Sequence, residues 1–431
     1  MRQKIHFGSS ARTVGAALRG RPCVEFQKGR MRTQGRPRRA APTVRAETFN
    51  CLRVLETYRL DSHSLENQAN SSGNEVAPVS SMNFKLKKLS DQVIVITGAS
   101  SGIGLVTARL AAKRGARVVL NARNADALKN IVDEINASGG EAIYVAGDVG
   151  NFADVQRIAD QTISQFGGFD TWVNNAGVSL YGAMLDQSLE DQRRLFETNY
   201  WGVVHGAMVA SAHLRNRGGA LINVGSVLSD IAIPIQGTYC ATKHAVRGYT
   251  DALRLELEEE GAPISVTLIK PSSIDTPYTQ HAKNLMAVEP QNPPPVYAPD
   301  LVAEAILHCA ENPERDLYVG GSGKMLVEAG HYAPRLTDKV MEATMSSLQK
   351  SNRQKDVDRP DNLHGPGAGG EERGNYSGHV AESSVYTKAA VHPLIAGSLL
   401  AGLGFAVFAA WRAVTANAAR AQTKVLLDRA R

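Results

Sequence analysis

Two side chains four residues apart, Tyr239 and Lys243, are the strongest candidates for chemistry in this sequence. On a helix this spacing places both on one face, about one turn apart. Because a nearby ammonium favours the phenolate, the pair predicts a tyrosine that exchanges protons near neutral pH. Ser226 ends an apolar run typical of a buried strand, and its hydroxyl could hold a carbonyl or alcohol oxygen for Tyr239. Taken alone, the pair is equally compatible with a packed tyrosine and a surface lysine.

The elements that must position these residues alternate regularly along the sequence. Uninterrupted apolar runs predict strands at 93–97, 117–121, 142–147, 170–173, 220–225, 264–270 and 316–319. Helical periodicity predicts helices at 103–114, 125–137, 151–166, 188–213 and 239–260. Strands without polar alternation, separated by helices, indicate a parallel sheet covered on both faces. We therefore expect an α/β fold with a doubly wound parallel sheet (Rossmann-type) over residues 90–322, and an additional helix within 323–350.

A glycine-rich turn joins the first predicted strand to the first helix. Glycines there let the backbone approach a pyrophosphate, whose charge the helix amides and dipole stabilise. The spacing is Gly-x-x-x-Gly-x-Gly, which differs from the Gly-x-Gly-x-x-Gly of other dinucleotide folds. The predicted contacts are Gly98, Ser100, Ser101, Gly102, Ile103 and Gly104. A second glycine-rich stretch at 320–324 is rejected as a phosphate loop, because Met325 stands where Ser or Thr is needed.

The residues after strands two to four indicate which dinucleotide would bind. An acid after strand two would repel a 2′-phosphate, whereas this sequence has Arg123 there. The expected cofactor is therefore NADP(H), although Arg123 could instead be a solvated surface residue. Asp148 follows the third strand and could hold the adenine amino group. The turn after the fourth strand, with Asn175, Ala176 and Gly177, could line the cofactor.

In order and spacing, these motifs resemble those of the short-chain dehydrogenase/reductase family, in its single-domain branch. The resemblance covers roughly residues 90–320. It rests on 97–104, Asp148, 174–177, Asn199, Ser226, Tyr239, Lys243 and 271–276. It implies a Rossmann-type domain and hydride transfer between NAD(P) and a carbonyl or alcohol.

Position by position, the resemblance implies roles for the site residues. Tyr239 would be the general acid in reduction and the base in oxidation, and Lys243 would lower its pKa and bind the nicotinamide ribose. Ser226 would orient the substrate oxygen, and Asn199 would hold a water in a proton relay. Pro271 and Thr276 would contact the cofactor, Thr276 on its nicotinamide side. Ser272 stands where the family often has glycine, which we expect to tune the site without abolishing activity.

The segment 277–298 would cover the substrate. It is moderately apolar and contains no arginine, which favours a neutral or lipophilic carbonyl compound or alcohol; His281 is expected to be a lid or surface residue. The leading hypothesis is an NADP(H)-dependent oxidoreductase that forms a homo-oligomer through helices 188–213 and 239–260. One alternative is a non-catalytic NADP(H)-binding sensor or scaffold. Another is an interaction protein recruited to a membrane, whose function depends mainly on its terminal segments.

The charge distribution and the cysteine content limit which other functions the sequence could have. Of the net charge of +6, residues 1–50 contribute ten Arg and two Lys against two Glu, so the body of the protein is mildly acidic. This distribution does not suggest a nucleic-acid-binding core. The four cysteines are far apart, with no histidine at ligand spacing, so neither a metal site nor a disulfide framework is indicated.

The two ends of the sequence differ from its body. Residues 1–81 are basic and are expected to be a disordered extension, a transit peptide, or sequence upstream of a true start at Met82. Residues 351–390 are rich in small and polar residues and predict a flexible linker.

Residues 393–411 carry no charge and are just long enough to cross a bilayer, with a basic tail at 412–431. The alternative is a buried helix or an apolar dimerisation tail. We expect a membrane-associated protein whose catalytic domain is cytoplasmic.

Overall fold

The computed structural model describes residues 85–392, together with Phe408 and Arg412. The predicted basic extension at 1–81 lies outside the described residues. So do the apolar segment 393–411, apart from Phe408, and the basic tail 412–431, apart from Arg412. Among the residues described, no helix combines the length and apolar character needed to cross a bilayer.

Seven parallel strands form the central sheet, in the order β7-β6-β5-β4-β1-β2-β3. They are β1 (Val93–Thr97), β2 (Arg117–Ala122), β3 (Glu141–Ala146), β4 (Thr171–Asn174), β5 (Gly219–Val224), β6 (Ile264–Pro271) and β7 (Asp316–Val319). Every residue of β1, β4, β5 and β6 is buried. Continuous burial without alternation is what a sheet covered on both faces requires. The predicted doubly wound α/β fold is confirmed.

Helices cover both faces of this sheet. They are α1 (Gly102–Lys113), α2 (Ala125–Ala137), α3 (Phe152–Phe166), α4 (Leu189–Phe196), α5 (Gly202–Leu214), α6 (Gly237–Glu259) and α7 (Pro299–Glu311). One apolar core joins α1, α2 and α7 to the sheet, and a second joins α3, α5 and α6 to it. Asn124 and Asn151 cap α2 and α3 by accepting backbone N–H bonds, which helps to set where these helices begin.

The region that follows the last strand of the sheet differs from the sequence prediction. The single helix expected within 323–350 is a pair, α8 (Gly321–Tyr332) and α9 (Pro334–Leu348), because Pro334 ends one helix and starts the next. The 351–390 segment, expected to be a flexible linker, lies against the domain instead. A strand at Lys350–Gln354 pairs with Val288–Pro290, and Val380–Ala381 pairs with Val296–Tyr297 before helix α10 (Val385–Val391).

Candidate active site

The strand order reverses between β1 and β4, and a cavity of about 460 Å³ lies there, beyond the carboxyl ends of the strands. Such a reversal leaves a crevice in which open α/β sheets bind ligands. The predicted site residues that line the cavity are Gly98, Ser100, Ser101, Gly102, Ile103, Arg123, Asp148, Asn175, Ala176, Gly177, Ser226, Tyr239, Lys243, Pro271 and Thr276. Gly104 and Asn199 do not line it but lie behind residues that do.

In the glycine-rich turn after β1, Gly98 and Gly104 are packed too closely to be replaced by residues with side chains. A Cβ on Gly104 would lie 2.3 Å from the Gly98 carbonyl oxygen and 2.6 Å from Nδ2 of Asn175. Gly98 also has a φ of +65°, which disfavours any other residue. The Asn175 amide donates to the carbonyls of Thr97 (2.9 Å) and Gly98 (3.2 Å). The turn and the loop after β4 are therefore held together, with the N-terminus of α1 facing the cavity.

Tyr239 and Lys243 lie in the first two turns of α6, and both are buried. The Lys243 ammonium lies 5.7 Å from the centroid of the Tyr239 ring and donates to the Val224 carbonyl at 2.9 Å. The hydroxyls of Ser226 and Tyr278 lie close enough to the Tyr239 hydroxyl to lower its pKa. Ser226 is held in turn, because its Oγ accepts from the Leu228 amide at 3.1 Å. The fold thus brings together the three residues whose spacing suggested proton chemistry.

The pKa of Tyr239 differs from the expectation of a phenol made more acidic by its lysine. Burial raises the pKa of Tyr239 to about 12, and the hydroxyls of Tyr278 and Ser226 only partly oppose this. Burial also lowers the pKa of Lys243 to about 8, because an ammonium loses solvation there. In the protein alone, Tyr239 is therefore neutral at pH 7, which is the state of a proton donor.

Asn199 lies in a π-helical turn, Glu197–Trp201, that interrupts the helix predicted at 188–213. Its Oδ1 accepts from the Val178 amide (2.8 Å), and its Nδ2 donates to the Val178 carbonyl (3.0 Å) and to Oγ1 of Thr242 (3.2 Å). A π turn inserts one residue into a helix and is frequent at functional sites. Here it directs Asn199 toward the loop after β4 and toward α6.

Behind the end of the cavity that Arg123 and Asp148 line, the structure places a cation that the sequence did not indicate. Arg194 pairs with Asp148 and donates through Nε to the Leu363 carbonyl at 3.0 Å. Arg123 donates to the carbonyls of Asn362 and Leu363. Arg194 sits on α4, far from Asp148 in sequence, so no local spacing could have revealed this pair.

The outer wall of the cavity comes from the segment predicted as a linker. We call residues 359–374 the strap; its Asn362, Pro366, Gly367 and Gly369 line the cavity beside the glycine-rich turn. Asn124 donates to two strap carbonyls, those of Gly367 (2.9 Å) and Ala368 (3.0 Å). The strap belongs to the site, although its sequence resembles that of a flexible linker.

The other end of the cavity is largely apolar. Its walls include Tyr181, Ile233, Tyr278, Leu326 and Met345, the last two contributed by α8 and α9. The Tyr278 hydroxyl donates to Oε1 of Gln236 at 3.1 Å. His281 also lines the cavity, and burial lowers its pKa, which favours the neutral imidazole. Ser272 lines the cavity beside Ser322, their Oγ atoms 3.5 Å apart.

Three comparisons with known proteins bear on this site. Residues 92–286 match the family model described as short chain dehydrogenase. An uncharacterized oxidoreductase of Bacillus subtilis, YxnA, is 49% identical over 329 residues, which cover 76% of this protein and 92% of that one. Bovine dehydrogenase/reductase SDR family member 7B is 37% identical over 191 residues, 43% of this protein and 58% of that one.

The fold is also found among solved structures. A short chain dehydrogenase/reductase from Burkholderia phymatum, solved in complex with NAD, matches with a TM-score of 0.53 and 27% identity. The match covers 59% of this protein and 96% of that one.

Proposed function

The chain belongs to the short-chain dehydrogenase/reductase family, and on this premise we propose that it transfers a hydride between NADP(H) and a carbonyl compound or secondary alcohol that is neutral and lipophilic. The observation that carries the proposal is the contact of the Tyr239 and Ser226 hydroxyls inside the cavity, with the Lys243 ammonium 5.7 Å from the tyrosine ring.

The residues around the cavity fit a nicotinamide dinucleotide. The closely packed turn from Gly98 to Gly104 presents the N-terminus of α1, which suits a pyrophosphate. Arg123 would hold the 2′-phosphate of NADP(H), and Asp148 the adenine. Asn175, Ala176 and Gly177 would line the middle of the cofactor. When bound, the nicotinamide supplies or accepts the hydride.

The side chains at the other end of the cavity would transfer the proton. Ser226 and Tyr239 lie close together and both line the cavity, so both hydroxyls could donate hydrogen bonds to one substrate oxygen. Tyr239, neutral at pH 7, would protonate that oxygen during reduction and take the proton back during oxidation. Lys243 supplies positive charge behind the ring and stabilises the phenolate as it forms. Asn199 holds the loop after β4 against α6 through its hydrogen bonds to both, and it lies beside Gly177.

Charge in the cavity supports a neutral substrate. Among the described lining residues, the acidic and basic side chains are Arg123, Asp148 and Lys243, apart from a histidine whose pKa is lowered by burial. All three have roles in cofactor binding or proton transfer under this proposal. The remaining substrate end is built mainly from aromatic, aliphatic and methionine side chains with a few neutral polar ones such as Gln236 and Ser272, which favours an apolar molecule bearing one carbonyl or hydroxyl.

Nucleotide binding and turnover by the full-length protein test the proposal. Fluorescence titration with NADPH and NADH should show tighter binding of NADPH. A panel of lipophilic ketones and aldehydes should then contain compounds that are reduced with consumption of NADPH. Binding without turnover of any panel member would favour the non-catalytic sensor, and absence of nucleotide binding would contradict the proposed function altogether.

Membrane attachment through residues 393–411 is a separate part of the proposal, supported by the uncharged sequence alone. The full-length protein should sediment with membranes from expressing cells. The double substitution Leu399→Arg and Leu403→Arg should release the protein from the membrane fraction, because a charged residue near the bilayer centre is costly. Sedimentation that is unchanged in this double variant would contradict the tether.

A further inference from the structure

The strap crosses the cavity where the proposed dinucleotide would lie. We propose that it is part of the dinucleotide-binding site, covering the adenosine and pyrophosphate half of a bound NADP(H) and slowing its release. This inference rests on the proposed function and assigns a binding role to the strap residues that line the cavity, Asn362, Pro366, Gly367 and Gly369.

The strap is bonded directly to the turn that would hold the pyrophosphate. The Gly370 amide donates to the Ser100 carbonyl at 2.8 Å, and the Gly102 amide donates to the Glu371 carbonyl at 2.8 Å. These two bonds run in opposite directions between neighbouring backbones, as in a short piece of sheet. The strap therefore follows the outer side of the glycine-rich turn closely.

A second set of bonds attaches the strap at the adenosine end. Arg123 and Arg194 both donate to the Leu363 carbonyl, and the Leu363 side chain is fully buried. The strap thus orients the guanidinium that would meet the 2′-phosphate. An arginine held by two neutral carbonyls keeps its full positive charge available to a phosphate.

The strap covers the cavity without filling it. The cavity of about 460 Å³ begins beneath Asn362, Pro366, Gly367 and Gly369 of the strap and continues to the apolar end. Both ends of the strap are anchored outside this space, by the ion pair of Arg359 with Glu289 (2.8 Å) and by that of Glu372 with Arg109 (2.7 Å). A segment tied down on both sides of a cleft, with room beneath it, is placed to retain a ligand.

The glycines of the strap permit this close approach. A Cβ on Gly369 would lie 2.7 Å from the Ala127 Cβ and 3.1 Å from the Ser100 carbonyl oxygen, and Gly369 has a φ of +81°. By contrast, a Cβ on Gly365 would meet nothing within 4 Å. These two positions in one segment therefore provide a variant that lifts the strap and a matched control that leaves it in place.

The test compares Gly369→Val with Gly365→Val in the full-length protein. We expect Gly369→Val to raise the NADPH dissociation constant about tenfold, mainly through faster dissociation in stopped-flow measurements, since the lost contacts are with the strap. Gly365→Val should stay within about twofold of wild type. Equal affinities in all three proteins would overturn the inference, as would tighter binding by Gly369→Val, because the strap would then compete with the nucleotide. If wild type binds no nucleotide, the proposed function itself fails.

Limited trypsin digestion of the wild-type protein gives an independent result should Gly369→Val fail to fold. Saturating NADPH should slow cleavage after Arg373, which lies in the strap and is followed by glycine. Cleavage after the exposed Arg335 on α9 serves as the reference. Unchanged or faster strap cleavage in the presence of NADPH would contradict a strap that closes over bound nucleotide.

Discussion

The rings of Tyr239 and Tyr278 meet edge to face, with centroids 5.6 Å apart, and the Tyr278 hydroxyl lowers the pKa of Tyr239. Tyr278 belongs to the segment that covers the substrate end of the cavity. The proposed proton donor therefore contacts a second phenol as well as Ser226. Since a nearby hydroxyl can stabilise the Tyr239 phenolate, Tyr278 opposes the increase in pKa that burial causes.

Removing the Tyr278 hydroxyl should change the pH dependence of the reaction. Tyr278→Phe keeps the ring but removes the hydroxyl that opposes the effect of burial, so the pKa of Tyr239 should rise. The alkaline limb of the kcat profile for reduction should then move up by about half a pH unit to one unit. Tyr181→Phe is the control, since Tyr181 is equally buried and packs on Tyr278. An identical shift in both variants would show that the effect is not specific to Tyr278.

Replacing Lys243 should lower the activity of the protein while raising its stability. Lys243→Met removes a buried ammonium whose pKa burial lowers to about 8 from an ordinary 10.5. We expect NADPH affinity and turnover to fall, while the free energy of unfolding at pH 7 rises by about 1–3 kcal/mol. Chemical denaturation of both proteins measures this difference.

The stability difference should also depend on pH with a defined sign. Between about pH 8 and 10.5 the unfolded protein binds the Lys243 proton more tightly than the folded protein does, so wild type gains stability as pH rises in this window. Lys243→Met lacks this contribution. Its advantage should therefore be constant below pH 8 and shrink above it. An advantage that grows from pH 8 to pH 9.5 would contradict the lowered pKa.

Reversing the charge at Arg123 should reverse the cofactor preference. Arg123→Glu places a carboxylate where a 2′-phosphate would bind, so NADPH should lose about 100-fold in affinity relative to NADH. Arg335→Glu, on the exposed face of α9, is the matched charge change and should leave the ratio of the two affinities unaltered. A ratio that is the same in wild type and Arg123→Glu would place the 2′-phosphate elsewhere.

Two glycine-to-alanine changes should have opposite effects on stability. Gly104→Ala pushes a methyl group against the Gly98 carbonyl and should destabilise the fold by about 1–3 kcal/mol while weakening nucleotide binding. Gly248→Ala, inside α6 with nothing within 4 Å of the new Cβ, should stabilise it by about 0.5–1 kcal/mol. Thermal and urea unfolding provide the comparison. Equal effects would mean that the turn after β1 relaxes more easily than its packing indicates.

The sheet could be predicted because its signals are local. Apolar runs such as Val93–Thr97 and Ile264–Pro271 identify buried parallel strands without any tertiary information. The glycine-rich turn and the spacing of Tyr239 and Lys243 are equally local, and the structure places all of them at one cavity.

The features that could not be predicted depend on tertiary contacts. A glycine-rich stretch such as the one around Gly369 occurs both in flexible linkers and in tightly packed backbone, so the sequence does not distinguish these two cases. Here the packing of Gly369 against Ala127 identifies the second case. The π turn at Asn199 is set by its bonds to Val178 and Thr242. The pKa of Tyr239 follows from burial, whose extent spacing alone does not reveal.

The most direct test of the proposed proton transfer compares wild type with Tyr239→Phe at saturating NADPH and a lipophilic ketone that wild type reduces. The variant keeps the ring, the contact with Tyr278 and the packing of α6, but it lacks the hydroxyl that would donate the proton. We expect nearly unchanged NADPH affinity and a loss of kcat of about 100-fold or more. NADPH consumption by Tyr239→Phe at a rate close to that of wild type would contradict the proposal, because Tyr239 could not then be the proton donor.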